Sequence, residues 1–396
     1  MAAAAEVVPE PEGDVVYQVN GLRKLFPVKS GFMGSLFGRE LFVHAVDSVS
    51  FDIRRGEILG VVGESGCGKT TTGRLLVRLE TPTAGSMIFN GVDVATLRGG
   101  ALREFRRKVQ MIFQDPYESL NPRFTIFSTV AEPLIVHGVG ESYEEREQMV
   151  ARALESAELK PAEEFMYRYP HELSGGQRQR VAIARALVLR PEFVVADEPV
   201  SMLDVSIRAG IMNLMLNLRQ QYQIPFMFVS HDVSVTRYMS HRIAVMYLGN
   251  IVEIAPSEEI IKNPMHPYTE ALLSAVPVPD PKTKHGRVEI KGELPSPINV
   301  PKGCAFHPRC LYRRDVCTQL KPVLREVTSG HWVQCHFAGE IITRKPDDAV
   351  PEEGPCDVCH QMVLRGAPNV TCNCPKIYHP DHAARMRECA VCKKRF

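Results

Sequence analysis

Apolar and polar residues follow a rhythm along the chain that predicts alternating strands and helices. Short apolar runs at 57–62, 193–196 and 226–229 predict strands that are buried on both faces, as is typical of a parallel sheet. Apolar positions at helical spacing predict helices over 143–159 and 179–189. From Val15 to about Ala275 the pattern therefore predicts an α/β domain.

Other stretches of the pattern predict subdivisions of the chain. Residues from about 116 to 177 are poor in strand signals, which predicts a helical subdomain inserted into the α/β core. Prolines dominate 276–301, so we expect the α/β domain to end near residue 275. We expect residues 1–14 to form a disordered tail, and residues 343–354 to link two cysteine-bearing modules at 276–342 and 355–396.

A glycine-rich segment directly follows the first of the predicted buried strands. It reads Gly-Glu-Ser-Gly-Cys-Gly-Lys-Thr and matches G-x-x-x-x-G-K-[ST], a loop that holds a nucleoside triphosphate. Glycines let several backbone N–H groups point at phosphate oxygens, and the positive end of the next helix points to the same place. We expect Lys69 to reach the β- and γ-phosphates and the Thr70 hydroxyl to bind Mg²⁺. The predicted nucleotide-binding residues of this segment are Gly63, Glu64, Ser65, Gly66, Cys67, Gly68, Lys69, Thr70 and Thr71.

Four further short strings follow this loop in order along the chain. They are Leu173-Ser-Gly-Gly-Gln177, Phe193-Val-Val-Ala-Asp-Glu198, Ser201-Met-Leu-Asp204 and Val229-Ser-His-Asp232. Each string is weak alone, but the set in this order resembles the nucleotide-binding subunit of ABC transporters over roughly residues 15–275. The resemblance implies a P-loop NTPase core of the ABC type that binds and hydrolyses ATP with Mg²⁺.

Polar residues at the ends of predicted strands supply the candidate catalytic chemistry. Asp197 would lie beside the phosphates, where a carboxylate can hold Mg²⁺ through water, and Glu198 can polarise the attacking water as general base. The resemblance implies that His231 contacts the γ-phosphate and that Gln114 senses Mg²⁺ and the attacking water. Without the resemblance, a structural histidine and a plain strand-end glutamine are the default interpretations.

The first residues of one predicted helix are candidates for binding a second nucleotide. Free N–H groups at a helix start bind anions. The resemblance implies that Ser174, Gly175, Gly176 and Gln177 bind the γ-phosphate of ATP held by another ATPase subunit, and that Asp204 couples the two sites. That subunit would be a paralogue or a second copy of this chain.

An aromatic residue on an early strand would stack on the adenine ring if the resemblance holds. Phe26 is the best match, although an ordinary core phenylalanine remains open as an alternative. Tyr17 is the fallback candidate.

Composition and charge limit the classes of partner. The chain has 396 residues and a net charge of +1, which gives no sign of a surface for nucleic acid or anionic lipid. No apolar run reaches the roughly 18 residues that a membrane span needs, and the N terminus lacks the pattern of a secretory signal. We therefore expect a protein at the cytoplasmic face of the membrane, attached through a partner.

Strings beyond residue 262 resemble one branch of the family. Asn263-Pro-Met-His-Pro-Tyr-Thr269 and Gly292-Glu-Leu-Pro-Ser-Pro297 resemble the tail of the dipeptide and oligopeptide import ATPases. The resemblance implies two membrane permease subunits as direct partners and a solute-binding protein as an indirect one. Because the branch also imports nickel and other small solutes, the solute stays open. The rival hypotheses are a soluble ABC ATPase that moves no solute and a regulatory scaffold.

Ten of the eleven cysteines lie between residues 304 and 392. In a reducing cytoplasm, such clusters are more typical of metal ligands than of disulfides. The first four, with spacings x5, x6 and x17, suit either a [4Fe–4S] cluster or structural Zn²⁺, and unliganded thiols are the third possibility. The resemblance favours the cluster, since some members of the import branch contain one. These residues are Cys304, Cys310, Cys317 and Cys335.

The end of the chain carries four further pairs of candidate ligands. Their order resembles a RING or treble-clef finger with two tetrahedral zinc sites, although the x4 spacing before the first histidine departs from the usual pattern. A segment this short cannot build a core without metal, so we expect about two zinc ions in it. The candidate ligands are Cys356, Cys359, Cys372, Cys374, His379, His382, Cys389 and Cys392.

Overall fold

The computed structural model describes residues 13–28, 41–275, 290 and 292–340, and the backbone of four short strands nearer the C terminus. The chain divides into two compact units, residues 1–342 and 343–396. The described strands are β1 (Val15–Pro27), β2 (Phe42–Arg54), β3 (Ile58–Val62), β4 (Ala84–Phe89), β5 (Val92–Asp93), β6 (Val109–Ile112), β7 (Phe193–Asp197), β8 (Phe226–Val229), β9 (Arg242–Tyr247), β10 (Asn250–Pro256), β11 (Arg325–Thr328), β12 (His331–Val333), β13 (Gly354–Pro355), β14 (Met362–Val363), β15 (Val370–Thr371) and β16 (Ile377–Tyr378).

The described helices all lie in the first unit. They are α1 (Lys69–Leu76), α2 (Gly99–Lys108), α3 (Pro116–Ser119), α4 (Ile126–His137), α5 (Tyr143–Ser156), α6 (Glu163–Met166), α7 (Gly175–Leu187), α8 (Val205–Tyr222), α9 (Val233–Met239), α10 (Ser257–Lys262), α11 (Pro267–Ser274) and α12 (Asp315–Gln319), with a 3₁₀ turn at Pro170–Glu172.

A mainly parallel sheet forms the centre of the first unit. Its order over the described residues is β11-β12-β10-β9-β3-β8-β7-β6, and the strands from β9 to β6 are mutually parallel. Strands β10, β11 and β12 continue it in antiparallel fashion. The predicted α/β class is therefore confirmed.

The central strands are apolar throughout because both faces of the sheet are covered. Side chains of a strand point alternately to opposite faces. In β7 and β8, Val194 and Phe226 join a buried cluster with the helical region, whereas Val195 and Met227 join a second cluster with β1, β2 and α1. This explains why the sequence shows unbroken apolar runs at these strands.

A second sheet, with order β2-β1-β4-β5, is antiparallel and covers one face of the core. This sheet is not evident from the sequence, because β1 and β2 mix exposed and buried positions and contain several register shifts. Its buried side chains, such as Val19 and Ile53, pack in the same cluster as Leu75 of α1. The sheet thus supports the segment that follows β3.

The strand-poor stretch contains helices α3 to α6. Helix α5 begins after Ser142, whose hydroxyl accepts a hydrogen bond from the Glu145 N–H. It ends at Ser156 rather than at 159, because Glu158 takes a left-handed conformation with φ 59°. Helix α7 likewise ends at Leu187, before the positive φ of Arg190.

Residues 292–340 pack against the sheet through β12, which pairs with β10. Glu253 of β10 is fully buried, and its carboxylate lies 2.7 Å from His331 Nε2 of β12. The same carboxylate accepts hydrogen bonds from the backbone N–H groups of Met265 and His266. These contacts join the C-terminal part of the first unit to the core.

The second unit is described only by its short strands. β13 pairs with β14 and β15 with β16, both in antiparallel fashion. The predicted zinc-finger ligands lie outside the described residues, as do the predicted tail apart from 13–14 and the predicted linker apart from residue 354. These ligands are Cys356, Cys359, Cys372, Cys374, His379, His382, Cys389 and Cys392.

Candidate active site

The candidate catalytic residues follow neighbouring parallel strands. The glycine-rich loop follows β3, Gln114 follows β6, Glu198 follows β7 and His231 follows β8. Because β3, β8, β7 and β6 are adjacent in this order, their carboxyl ends meet at one edge of the sheet, where ligands bind in open α/β folds. The tertiary structure therefore gathers residues that are far apart in the sequence.

The glycine-rich loop, residues 63–70, has a shape that requires glycine at two positions. Gly63 has φ 153°, and a Cβ there would lie 2.2 Å from the backbone oxygen of Met246. Gly68 has φ 108°, and a Cβ there would lie 2.2 Å from the backbone oxygen of Ala45. Backbone atoms of β2 and β9 thus lie so close to this phosphate loop that only glycine can occupy these two positions.

Lys69 is held inside the phosphate loop. Its ammonium group donates to the carbonyl oxygens of Gly63 at 2.8 Å and Glu64 at 3.2 Å, and the residue is 6% exposed. Ser65 and Gly66 are exposed at the tip of the loop. The ammonium group therefore lies among the backbone groups that a triphosphate would contact.

Thr70 and Asp197 form a pair of oxygen ligands suited to Mg²⁺. The Thr70 hydroxyl donates to Asp197 Oδ1 at 3.0 Å, while the next residue, Thr71, is half-buried in α1. Burial raises the pKa of the Asp197 carboxyl, and the hydrogen bond from Thr70 only partly offsets this. Hydroxyl and carboxylate oxygens are the donors that Mg²⁺ prefers, so these residues fit the ion.

Glu198 lies between the other two candidate catalytic residues. Its Oε2 accepts a hydrogen bond from Gln114 Nε2 at 3.2 Å and lies 3.0 Å from His231 Nδ1. The backbone of Glu198 has φ 47°, and its N–H donates to the Val229 oxygen of β8. The glutamate side chain is 15% exposed, whereas that of His231 is 60% exposed. The structure thus brings together the three residues that the sequence singled out.

The start of α7 is closed by a capping box. Ser174 Oγ accepts from the Gln177 N–H, and Gln177 Oε1 accepts from the Ser174 N–H. A Cβ at Gly176 would lie 2.6 Å from Ile207 Cγ2 of α8, so the absence of a side chain lets the two helices pack closely. Gly175 is the first residue of α7.

Asp204 is the N-cap residue of α8. It is exposed, and within the described residues its side chain makes no capping hydrogen bond. Its predicted role, like that of the start of α7, concerns a second subunit and stays a prediction.

Of the two aromatic candidates for stacking on adenine, only Phe26 is accessible. Phe26 is half-buried near the end of β1, with Lys24 Nζ 4.6 Å from its ring centroid. Tyr17 is fully buried and donates its hydroxyl to the Leu76 oxygen. The fallback choice of Tyr17 is therefore wrong, because its ring belongs to the core.

Sequence reasoning missed two residues that contact the phosphate loop. The Glu64 N–H donates to the Tyr268 hydroxyl at 2.8 Å, and the Glu64 carboxylate lies 2.9 Å from Arg309 Nη1. Tyr268 stands in a string that resembles the import branch, and Arg309 lies between two of the candidate cysteine ligands, Cys304 and Cys310. No local pattern indicates contacts across 204 and 245 residues.

The four cysteines of the first predicted metal module are free thiols that line one small cavity, together with Phe306 and several histidines. Burial raises the pKa of Cys304 to about 11 and that of Cys310 to about 12. No group of three or more His, Cys, Asp or Glu in the described part of the chain has the arrangement of a metal site. The cavity therefore gathers Cys304, Cys310, Cys317 and Cys335 without showing a formed metal centre.

Among the described residues, no helix combines the length and the apolar character that crossing a bilayer requires.

Two family models match the chain. The model described as ABC transporter matches residues 46–201, and the model described as oligopeptide/dipeptide transporter, C-terminal region, matches residues 252–317. The chain is also similar to the oligopeptide transport ATP-binding protein AppF of Bacillus subtilis (strain 168). The two are 47% identical over 328 residues, which cover 82% of this chain and 98% of that protein.

Solved structures agree with this fold. The dimeric post-hydrolysis structure of the ATP-binding cassette MJ0796, bound to ADP and phosphate, matches with a TM-score of 0.53 at 31% identity, covering 61% of this chain and 98% of that one. The structure of cbiO1 from Clostridium perfringens matches with the same TM-score at 23% identity, covering 62% of this chain and 90% of that one, and shows the fold alone. The fold and site define a P-loop ATPase. This chain belongs to the ATP-binding proteins of ABC transporters.

Proposed function

We propose that this chain is the ATP-binding and hydrolysing subunit that powers import of dipeptides or oligopeptides, or of a related small solute such as nickel, through a membrane ABC permease. The observation that carries the proposal is the convergence of Gln114, Glu198 and His231 beside the phosphate loop. The C-terminal region that matches the oligopeptide/dipeptide model supports the peptide branch. The relative AppF, which is described as an oligopeptide transport protein, supports it as well.

Residues 63–71 would bind the triphosphate, with Lys69 neutralising phosphate charge and Phe26 stacking on the adenine ring. Thr70, Asp197 and Gln114 would hold Mg²⁺, which supplies charge neutralisation between the β- and γ-phosphates. Glu198 would accept a proton from the attacking water as general base.

His231 would bind the γ-phosphate through the ring that now contacts Glu198. Its side chain is 60% exposed, whereas that of Glu198 is 15% exposed. An exposed imidazole can turn toward a ligand without disturbing the buried strand that precedes it. The contact with Glu198 at 3.0 Å would keep the two groups close together during hydrolysis.

ATP would also bind between two subunits. Ser174, Gly175, Gly176 and Gln177 would contact the γ-phosphate of ATP held by a paralogous subunit or a second copy of this chain, and Asp204 would join the two sites. Loss of the γ-phosphate contacts after hydrolysis would let the dimer open. The MJ0796 structure is itself described as dimeric.

The direct partners would be two permease subunits, with a solute-binding protein acting through them. The chain would then lie at the cytoplasmic face of the membrane as a peripheral subunit. We propose no nucleic-acid partner, since the net charge of +1 offers no electrostatic footprint for one.

Two metal modules complete the proposal. Cys304, Cys310, Cys317 and Cys335 would hold a [4Fe–4S] cluster, or Zn²⁺ as the alternative, because all four thiols line one cavity. Binding would release protons, since burial keeps the free thiols of Cys304 and Cys310 neutral at pH 7. The C-terminal finger would bind about two zinc ions.

ATP turnover by purified wild-type protein and by Glu198→Gln tests the catalytic proposal. We expect the variant to keep ATP binding, to lose at least about 100-fold in turnover, and to accumulate as a closed dimer with ATP. Glu192→Gln is the matched control, because Glu192 precedes β7 at the opposite end of the strand and pairs with Lys108. Near-normal turnover by Glu198→Gln would remove Glu198 from the role of base.

Uptake assays decide between importer, soluble ATPase and scaffold. Cells that lack the gene should lose uptake of labelled peptides or of nickel and regain it with the wild-type chain but not with Glu198→Gln. Normal uptake of every solute without the gene would favour the soluble ATPase. Deletion of residues 345–396 should leave uptake unchanged, whereas lost uptake with normal folding would favour a regulatory role for the finger.

A further inference from the structure

Glu64, the second residue of the phosphate loop, contacts two residues from the C-terminal region. Arg309 Nη1 lies 2.9 Å from Glu64 Oε2 and 3.1 Å from Oε1. The Glu64 N–H donates to the Tyr268 hydroxyl at 2.8 Å. The Glu64 carbonyl oxygen accepts from Lys69 Nζ at 3.2 Å and from the Cys67 N–H at 3.2 Å. Every polar group of Glu64 is therefore engaged, and two of its partners lie outside the loop.

Arg309 is itself held in a defined position. Its side chain is 10% exposed, and its guanidinium carbon lies 5.9 Å from the ring centroid of Tyr247. Phe306, which precedes it by three residues, packs its ring 5.2 Å from that of Tyr247 and 5.5 Å from that of Tyr268. An arginine fixed by this aromatic cluster delivers its charge to one place without a large entropy loss on pairing.

We propose that Arg309 is a positioning residue for ATP binding. It holds the first turn of the phosphate loop through Glu64, and it neutralises a carboxylate that stands beside a loop built to bind an anion. Because Arg309 lies between Cys304 and Cys310, the conformation of the cysteine module then influences ATP affinity. This inference rests on the proposed ATP site.

The charge of Glu64 sets the direction in which loss of Arg309 changes the ATP affinity, which packing alone would not do. Without Arg309, the Glu64 carboxylate is an uncompensated negative charge next to the triphosphate, so ATP binding weakens. If residue 64 carries no charge, removing Arg309 leaves no uncompensated carboxylate that could repel ATP. The effect of Arg309 on ATP affinity should therefore depend on the charge of Glu64, which a double-mutant cycle measures.

The experiment measures the Kd for ATPγS and the ATPase KM and kcat of the full chain in four forms: wild type, Arg309→Ala, Glu64→Gln and the double variant. We expect Arg309→Ala to raise Kd and KM by about tenfold, the scale of one charge-assisted hydrogen bond, with kcat nearly unchanged. The double variant should bind ATPγS within about twofold of Glu64→Gln itself, whatever affinity Glu64→Gln has relative to wild type. Arg313→Ala is the control, because Arg313 is exposed in the same module.

Two outcomes would overturn the proposal. Arg309→Ala would weaken ATPγS binding equally with Glu64 and with Gln at position 64, or it would not weaken binding in either case. Lys69→Ala distinguishes failure of the Arg309 proposal from failure of the proposed ATP site, since unchanged ATPγS binding in that variant would refute the site itself. Thermal unfolding checks that each variant folds. If Arg309→Ala does not fold, Arg309→Lys and Arg309→Gln replace it. The lysine form should bind within about threefold of wild type and the glutamine form about tenfold weaker, whereas equal losses would overturn the role of charge.

Discussion

Gly68 joins the phosphate loop to α1, and its replacement by alanine should destabilise the fold. Its φ is 108°, and a Cβ at this position would lie 2.2 Å from the Ala45 backbone oxygen and 3.4 Å from Met246 Cε. The methionine tip can move aside, but the contact with Ala45 involves backbone of β2, so the loop or the strand must shift. Gly66 is a matched control in the same loop, with φ 79° and, over the described residues, no heavy atom within 4 Å of a Cβ.

The structure sets the size of the effect. For Gly68→Ala, backbone strain contributes about 1–3 kcal/mol and overpacking against backbone about another 1–3 kcal/mol. The smaller entropy of the unfolded alanine chain offsets about 0.4–1 kcal/mol. The net loss in the free energy of unfolding is therefore about 1–6 kcal/mol. Gly66→Ala carries strain from its positive φ but no overpacking, so it should be less destabilising than Gly68→Ala by about 1–3 kcal/mol.

Thermal unfolding without nucleotide measures this difference directly. At about 2–4 °C per kcal/mol, Gly68→Ala should unfold about 2–12 °C lower than Gly66→Ala. ATP binding should fall in Gly68→Ala as well, since the shifted loop no longer aims its N–H groups at the phosphates. Equal melting temperatures for the two variants would refute the close approach of β2 to the loop.

Three further predictions concern the ions and protons of the site and core. Thr70→Val should lower Mg²⁺-dependent ATP turnover at least about tenfold, because Asp197 loses its neighbouring oxygen ligand; unchanged Mg²⁺ dependence would argue against this pair. Burial and the nearby Arg219 lower the pKa of His241 to about 4, so the unfolded chain takes up this proton first as pH falls. The free energy of unfolding should therefore keep the full contribution of neutral His241 above pH 6.5 and fall by up to about 3 kcal/mol toward pH 4. Denaturant titrations should show a smaller fall for His241→Gln. Metal analysis after anaerobic purification should find about two zinc ions, plus iron and sulfide, and absence of iron would assign the first module to zinc or bare thiols.

Local patterns were sufficient for the central strands and the phosphate loop, whereas the roles of Gln114 and His231 rested on the family resemblance. The run 193–196 is apolar because helices cover one face of the sheet and β1, β2 and α1 the other, so its burial is visible in the sequence. Helix ends were less predictable. Glu158 follows the end of α5 and Arg190 follows the end of α7, each with a positive φ that its residue type does not predict.

The antiparallel sheet shows why part of the fold escaped prediction. Strands β1 and β2 pair across several register shifts, which break the strict alternation that would mark a half-buried strand. Tyr17, the fallback candidate for stacking on adenine, is fully buried and donates its hydroxyl to the Leu76 carbonyl oxygen. Whether an aromatic side chain faces a ligand or the core depends on the layer that covers it.

The α/β class and the phosphate loop are visible in the sequence alone, because each depends on neighbours within a few positions. Folding of the chain places Glu198 between Gln114 and His231, and it brings Arg309 to Glu64 from 245 residues away. The physical reason is that strand order and the docking of the C-terminal segment arise from burial of apolar surface between distant elements. No local periodicity carries that information.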